Sequence, residues 1–240
     1  MISRPKSLKD NKFPPFIRNS PFSSLKLEGK VFESLGIKDS SLKISKVLSG
    51  EEINTLRRSL GVVIRPRAFV DDIENCKLNF SSKIWDIATM SERGVRSCQS
   101  WNAGVHKTKL VGSMVDPTVG ILWLSYRRTA KGSDMRLRSL VRAVLDKHDN
   151  ICLFIDRMYV GYTHDHNFGA PHILGLHLTF KKFLESISGN KFEVKTYSDS
   201  NLNVSQLKIP KSPNVVKLTP EYRSYIDSGL QYTSNIRVKV

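Results

Sequence analysis

Residues 119–160 read VGILWLSYRRTAKGSDMRLRSLVRAVLDKHDNICLFIDRMYV, and the fold turns on how the middle of that stretch is taken. Val119 to Tyr126 is a short apolar run of the kind a buried strand makes, and Ile151 to Tyr159 is a second, entered through a turn at Asp149 and Asn150. Lys131 to Ser133 reads as a turn between them. Asp134 to Lys147 then reads as a helix, because Ser133 is a good N-cap, Asp134 falls in the first turn, and Leu137, Leu140, Val141, Val144 and Leu145 recur as one apolar face. Arg138 and Arg142 lie one helical turn apart on the other side. This places Arg127 and Arg128 at the end of a strand, and a rigid basic helix after them.

Working outward, Ser49 followed by Glu52 is a capping-box pattern, and Ile53, Leu56 and Leu60 recur at helical spacing until Gly61. Residues 62–70 look extended, with Pro66 confining any strand there to an edge or a bulge. A helix is expected from Ser82 to Arg93, stopped by Gly94, while residues 97–117 read as irregular. Ile173, Leu176, Phe180, Phe183, Leu184 and Ile187 fit a helix from about Pro171 to Ser188, with Gly189 as its terminator. Short extended pieces follow at Phe192 to Tyr197, Val215 to Leu218 and Ile236 to Val240. Because strand and helix do not alternate regularly, the expected class is α+β, a mainly antiparallel sheet with several packed helices. One domain is expected over residues 31–240, preceded at residues 1–30 by a mobile basic arm containing Pro14, Pro15 and Pro21.

The chain of 240 residues has 38 Lys and Arg against 22 acids, a net charge of +16 and a pI near 9.9. Such a surplus points to a polyanionic partner. It is unevenly spread: net +5 over residues 1–30, +3 over 31–125, +5 over 126–147, −1 over 148–200 and +4 over 201–240. The central block supplies the expected polyanion-binding residues Arg127, Arg128, Lys131, Arg136, Arg138, Arg142 and Lys147. Five of these seven are Arg, whose planar fork makes paired hydrogen bonds to phosphate. The reading is a non-enzymatic protein that binds RNA, DNA or an anionic membrane surface, the three being equally rewarded by clustered positive charge. Self-association is expected with it, since repetition multiplies phosphate contacts. By composition alone the chain is like small basic viral structural or accessory proteins such as matrix, nucleocapsid and movement proteins.

Hydrophobic residues make up 40% of the chain, ample for a packed core. No stretch approaches the roughly 20 apolar residues that cross a bilayer, and the first thirty residues hold no apolar run like a secretory signal. Cys76, Cys98 and Cys152 are widely spaced with no Cys-x-x-Cys pair, and are expected to be reduced. An intracellular location follows as the expectation, cytoplasm or nucleus, with peripheral membrane association open. No phosphate-cradling glycine loop, dinucleotide fingerprint or Gly-x-Ser-x-Gly is present, so no cofactor is expected.

Two histidine patterns carry the alternative chemistries. His164 and His166 flank Asp165 and, on an extended strand, would share one side and start a metal site. His106-Lys107-Thr108 and His177-Leu178-Thr179 are both His-x-Thr, and the pair resembles the signature of the 2H phosphoesterases. That resemblance implies two strands facing a cleft, with His106 and His177 as acid and base on a phosphodiester and Thr108 and Thr179 holding its oxygens. Leu174, Leu176, Leu178 and Phe180 alternate as a strand would, but the same segment fits the longer helix above. On a helix, residues two apart point about 200° from each other.

Overall fold

The computed structural model describes residues 30–63, 68–95, 97–100, 104, 106–129, 132–160, 163–164, 170–197, 199 and 206–208. The basic arm at 1–30 lies outside them apart from Lys30, as do the extended pieces expected at Val215 to Leu218 and Ile236 to Val240. The first half of the chain forms α1 (Lys30–Ser34), β1 (Ser40–Lys43), α2 (Gly50–Val63), α3 (Ala68–Asp71), β2 (Lys77–Ser81), α4 (Ile84–Ala88) and α5 (Lys107–Val115). The second half forms β3 (Val119–Ser125), a small hairpin of β4 (Arg128–Thr129) and β5 (Gly132–Ser133), β6 (Leu137–Leu145), β7 (Ile151–Val160), β8 (Thr163–His164), α6 (Ala170–Ser188) and β9 (Glu193–Thr196). Single turns of 3-10 helix at Ile44–Lys46 and Ile73–Asn75 follow β1 and precede β2.

The expected helix from Asp134 to Lys147 is overturned: its core is the nine-residue strand β6. Along β6 the side chains alternate, with Leu137, Val141 and Ala143 in one apolar cluster and Leu140 in another. A strand covered on both faces is an apolar run without polar alternation, and two arginines interrupt this one at a spacing that also suits a helix. β6 lies between β3 and β7 in a sheet whose order is β1-β2-β3-β6-β7-β8, every pairing antiparallel, with β9 added parallel to β7. The protein is therefore α+β, built on a mostly antiparallel seven-stranded sheet among the described residues. Between β6 and β7 the register shifts so that Ser139 faces Met158 and Val141 faces Ile155, leaving Asp156 and Arg157 opposite Leu140. This is a β-bulge, and the Ser139 hydroxyl bonds across it to the Asp156 carbonyl at 2.7 Å.

One face of the sheet is covered by α2 and α6. The capping box forms in both directions, Glu52 N–H to Ser49 Oγ at 3.4 Å and Ser49 N–H to Glu52 Oε2 at 2.9 Å. α2 then sets Ile53, Leu56 and Leu60 against Leu176, Phe180, Phe183 and Leu184 of α6 and the Leu122, Val141 and Ile155 face of the sheet. Each such side chain contributes about 1.5–3 kcal/mol on full burial. Gly175 permits the close approach of the two helices, since a Cβ there would lie 2.7 Å from Ser59 Oγ. α6 ends at left-handed Gly189 and Asn190, as a C-terminal cap requires.

α4 and α5 cover the other face, packing Ile87, Ala88, Leu110 and Met114 on Ile121, Trp123, Leu140 and Tyr159. Local reading misplaced parts of this half. α5 lies inside the segment expected to be irregular, α2 runs past Gly61 to Val63, and the helix expected from Ser82 to Arg93 ends at Ala88, followed by turns to Gly94. Beyond β9, Leu207 packs on Val144, Cys152 and Phe154, and Lys208 bridges to Leu145.

Candidate functional site

The strand conformation of residues 137–145 separates the seven bases of the central block. Arg138 and Arg142 share one side of β6, but at strand rise their Cα atoms are about 13 Å apart instead of the roughly 6 Å of a helical turn. Neither reaches solvent: Arg138 is 1% exposed and Arg142 0%. Arg136, half-buried, gives its Nε to Asp134 Oδ2 at 2.7 Å. Arg127 is exposed just beyond β3, and Lys147 is exposed in the β6–β7 turn at the opposite end of β6. Arg128 belongs to β4, its side chain outside the description, and Lys131 lies outside the described residues. The single helix-borne arginine platform is thus corrected to two buried residues, one carboxylate-paired residue and charges at both ends of a strand.

The buried guanidinium groups belong to the sheet face under α4 and α5. Arg142 Nη1 meets Asp116 Oδ2 at 3.4 Å, and Asp116 Oδ1 also accepts from the backbone N–H and hydroxyl of Thr118 at 2.9 and 2.6 Å. Arg138 lies over the Tyr159 ring at 4.4 Å and donates to Ser91 Oγ at 3.3 Å. Arg93, also buried, lies 5.1 Å from the Trp123 ring centroid and is fixed by Asp86 at 2.6 Å and by the Ser133 carbonyl and hydroxyl at 2.7 and 2.9 Å. Each charge has acceptors or an aromatic face, the condition under which a guanidinium is tolerated away from water. Spacing within β6 gave no sign of this burial, because the partners of its arginines come from residues 90, 91, 116 and 159.

Four of the exposed bases lie where β1, β2 and β3 end together. Lys43 and Lys77 are direct cross-strand partners, and Lys77 is in turn opposite Ser125. Partners across an antiparallel pair hold their side chains on the same face about 5 Å apart. Both lysines are exposed, and neither forms an ion pair with a described carboxylate. Exposed Lys46 follows in the 3-10 turn, and exposed Arg127 follows β3. Between Ser125 and Arg127, Tyr126 is 36% exposed. A hydrogen bond to Asp72 holds its hydroxyl and raises its pKa, while Glu74 nearby is taken by Arg57 at 3.0 Å. Two like charges set directly opposite each other weaken a sheet by a few tenths of a kcal/mol to about 1 kcal/mol.

The two His-x-Thr triplets are not brought together. His106 is exposed at the start of α5 and Thr108 lies in that helix, whereas His177 and Thr179 are both 2% exposed within α6. Thr179 Oγ1 donates to the Gly175 carbonyl at 2.9 Å, a bond within its own helix. α5 and α6 cover opposite faces of the sheet, so the strand geometry implied by the phosphoesterase resemblance is absent at both triplets. His164 sits in β8 opposite Tyr159, and His166 lies outside the described residues. Among the described residues no group of three His, Cys, Asp or Glu is placed to hold a metal ion, and no helix is long and apolar enough to cross a membrane.

No family model matches the chain, and neither a curated protein nor a solved structure shows significant similarity to it.

Proposed function

We propose that the protein binds single-stranded nucleic acid, without catalysis, at the sheet end that carries Lys43, Lys46, Lys77 and Arg127, with Tyr126 next to Arg127 in the chain. The observation that carries this reading is the exposed cross-strand pair Lys43–Lys77, two cations in register without a described carboxylate. Phosphates spaced along a strand would neutralise such a row and release counterions, the term that dominates nucleic-acid affinity. Tyr126, 36% exposed and preceding Arg127, offers a ring on which a base can stack, worth about 1–3 kcal/mol per base. A membrane surface is the less favoured polyanion because, among the described residues, the exposed large apolar side chains, Tyr126, Ile151 and Leu178, belong to separate elements and form no patch that would enter lipid. The basic segments 1–30 and 201–240 add net +5 and +4 to the attraction. Self-association would multiply the few contacts one copy makes along a polymer.

The test is the binding of a labelled single-stranded oligonucleotide by fluorescence anisotropy over a salt series, for wild type and for the triple reversal Lys43→Glu, Lys77→Glu, Arg127→Glu. The reading expects the salt slope to fall by about 2 units, at about 0.7 per lost contact on single strands. An unaltered affinity and slope would move the site elsewhere. Tighter capture by phosphatidylserine vesicles than by the oligonucleotide at physiological salt would assign the charge to membranes.

A further inference from the structure

A buried acid sits at the basic end of the sheet. Asp134 is 4% exposed, and its Oδ1 accepts the backbone N–H groups of Tyr126 and Arg127, both at 2.8 Å. Its own N–H returns to the Arg127 carbonyl at 2.8 Å, and its Oδ2 takes Arg136 Nε at 2.7 Å. Two successive N–H groups turned to one oxygen make a small anion-binding concavity, which this carboxylate fills. The chain bends there, just after β3 ends at Ser125, the register partner of Lys77.

Flanking residues fix Asp134 in turn. Ser133 accepts from Arg93 at its carbonyl and its hydroxyl, at 2.7 and 2.9 Å, and from Trp123 Nε1 at its hydroxyl, at 2.9 Å. Met135 N–H bonds the Arg93 carbonyl at 2.7 Å, and Arg136 N–H bonds the Leu124 carbonyl at 2.8 Å. The carboxylate is therefore a fixed acceptor. By charge alone it works against a phosphate site, since it subtracts from the positive field beside Arg127. By geometry it works for one, since an arginine carried on a fixed bend loses less freedom on binding than one on a loose strand end.

We propose that Asp134 is the positioning residue of the nucleic-acid interface: it sets the bend from which Arg127 meets a phosphate, and this benefit outweighs the charge it subtracts. The inference rests on the functional reading above. Asp134 acts through the Arg127 backbone and does not touch the ligand. Its two effects on binding have opposite signs, so substitution separates them. Asparagine keeps a side-chain oxygen for the two N–H groups and drops the charge, whereas alanine drops both.

The experiment measures binding of the single-stranded oligonucleotide by fluorescence anisotropy for wild type, Asp134→Asn and Asp134→Ala, each also in an Arg127→Ala background. Asp134→Asn is expected to bind as tightly as wild type or tighter. Asp134→Ala is expected to bind about threefold to tenfold more weakly than Asp134→Asn, although the two carry the same charge. In the Arg127→Ala background that difference disappears, because the group being positioned is gone. A merely structural role would leave the difference in place, and that result would overturn the assignment, as would equal affinities of Asp134→Ala and Asp134→Asn. Urea unfolding checks each variant. Should Asp134→Ala not fold, Asp134→Glu replaces it, with the charge kept and the acceptor displaced by one methylene: a similar loss relative to wild type is expected, and wild-type affinity would overturn the assignment. Failure of the underlying reading looks different. Wild type then does not bind the oligonucleotide, or is indifferent to the triple reversal, and this inference falls with it.

Discussion

Replacing Asp116 by Asn removes one charge from a pair that has no access to water. Asp116 and Arg142 have side chains 1% and 0% exposed and meet at 3.4 Å, and the asparagine oxygen can still accept from Thr118 as Asp116 Oδ1 does. The substitution therefore isolates the charge from the local turn. Leaving a buried guanidinium without its carboxylate costs about 3–5 kcal/mol, whereas replacing both members by uncharged groups is often close to neutral. Urea unfolding of a chain this size has a slope of about 3 kcal/mol per M, so the midpoint should fall by about 1–1.7 M. The double variant Asp116→Asn, Arg142→Met should recover most of that loss, because no uncompensated charge remains. A midpoint shift below about 0.3 M for the single variant would show that Arg142 reaches water or another acid. Equal losses in single and double variants would refute the pairing as the source of the cost.

Lys43→Glu should raise stability by about 0.2–1 kcal/mol in urea unfolding, by removing a like-charge cross-strand contact with Lys77, while weakening oligonucleotide binding. A loss of both together would mean that Lys43 serves the fold. Gly120→Ala should cost about 1–3 kcal/mol in thermal unfolding, because its Cβ would meet Phe80 Cε2 at 2.6 Å inside the sheet core. The hydrogen bond from Lys182, and then the Ser49 backbone, holds the Glu52 carboxyl below its ordinary value of 4.5. A depressed carboxylate stabilises the fold above that value, and its contribution is lost as pH falls through the folded value. Glu52→Gln should thus be less stable than wild type by about 0.5–1 kcal/mol at pH 7, with the two converging below pH 4.5.

What could be read from the chain was local. The capping box at Ser49 and Glu52, the apolar runs that became β3 and β7, and the long apolar periodicity of α6 each carry their signal within a dozen or so residues, and each forms near its expected bounds. β6 failed because four-residue spacing is ambiguous: Arg138 and Arg142 lie on one side of a helix and equally on one side of a strand. The fact that separates the two is the pairing of Arg142 with Asp116, twenty-six residues earlier in the chain, and no window on β6 contains it. The same non-locality hid the Lys43–Lys77 pair, which exists only because β1 and β2 run antiparallel in that register. Charge count located an excess correctly in the sequence, but burial decided which of those charges remain available, and burial is set by the partners on either side of a strand. α5 escaped notice because its first turn is Lys107, Thr108 and Lys109 and its middle holds Gly112, a composition that resembles a loop until Leu110 and Met114 are seen packed on the sheet.

The most direct test of the proposed interface is lysine footprinting of wild-type protein with an amine-reactive ester, with and without a saturating single-stranded oligonucleotide. The account predicts that Lys43, Lys46 and Lys77 react readily alone and are protected in the complex, while exposed Lys147 and Lys191, at other parts of the molecule, keep their reactivity. Protection centred on Lys147 or Lys191, with Lys43 and Lys77 still labelled, would contradict it.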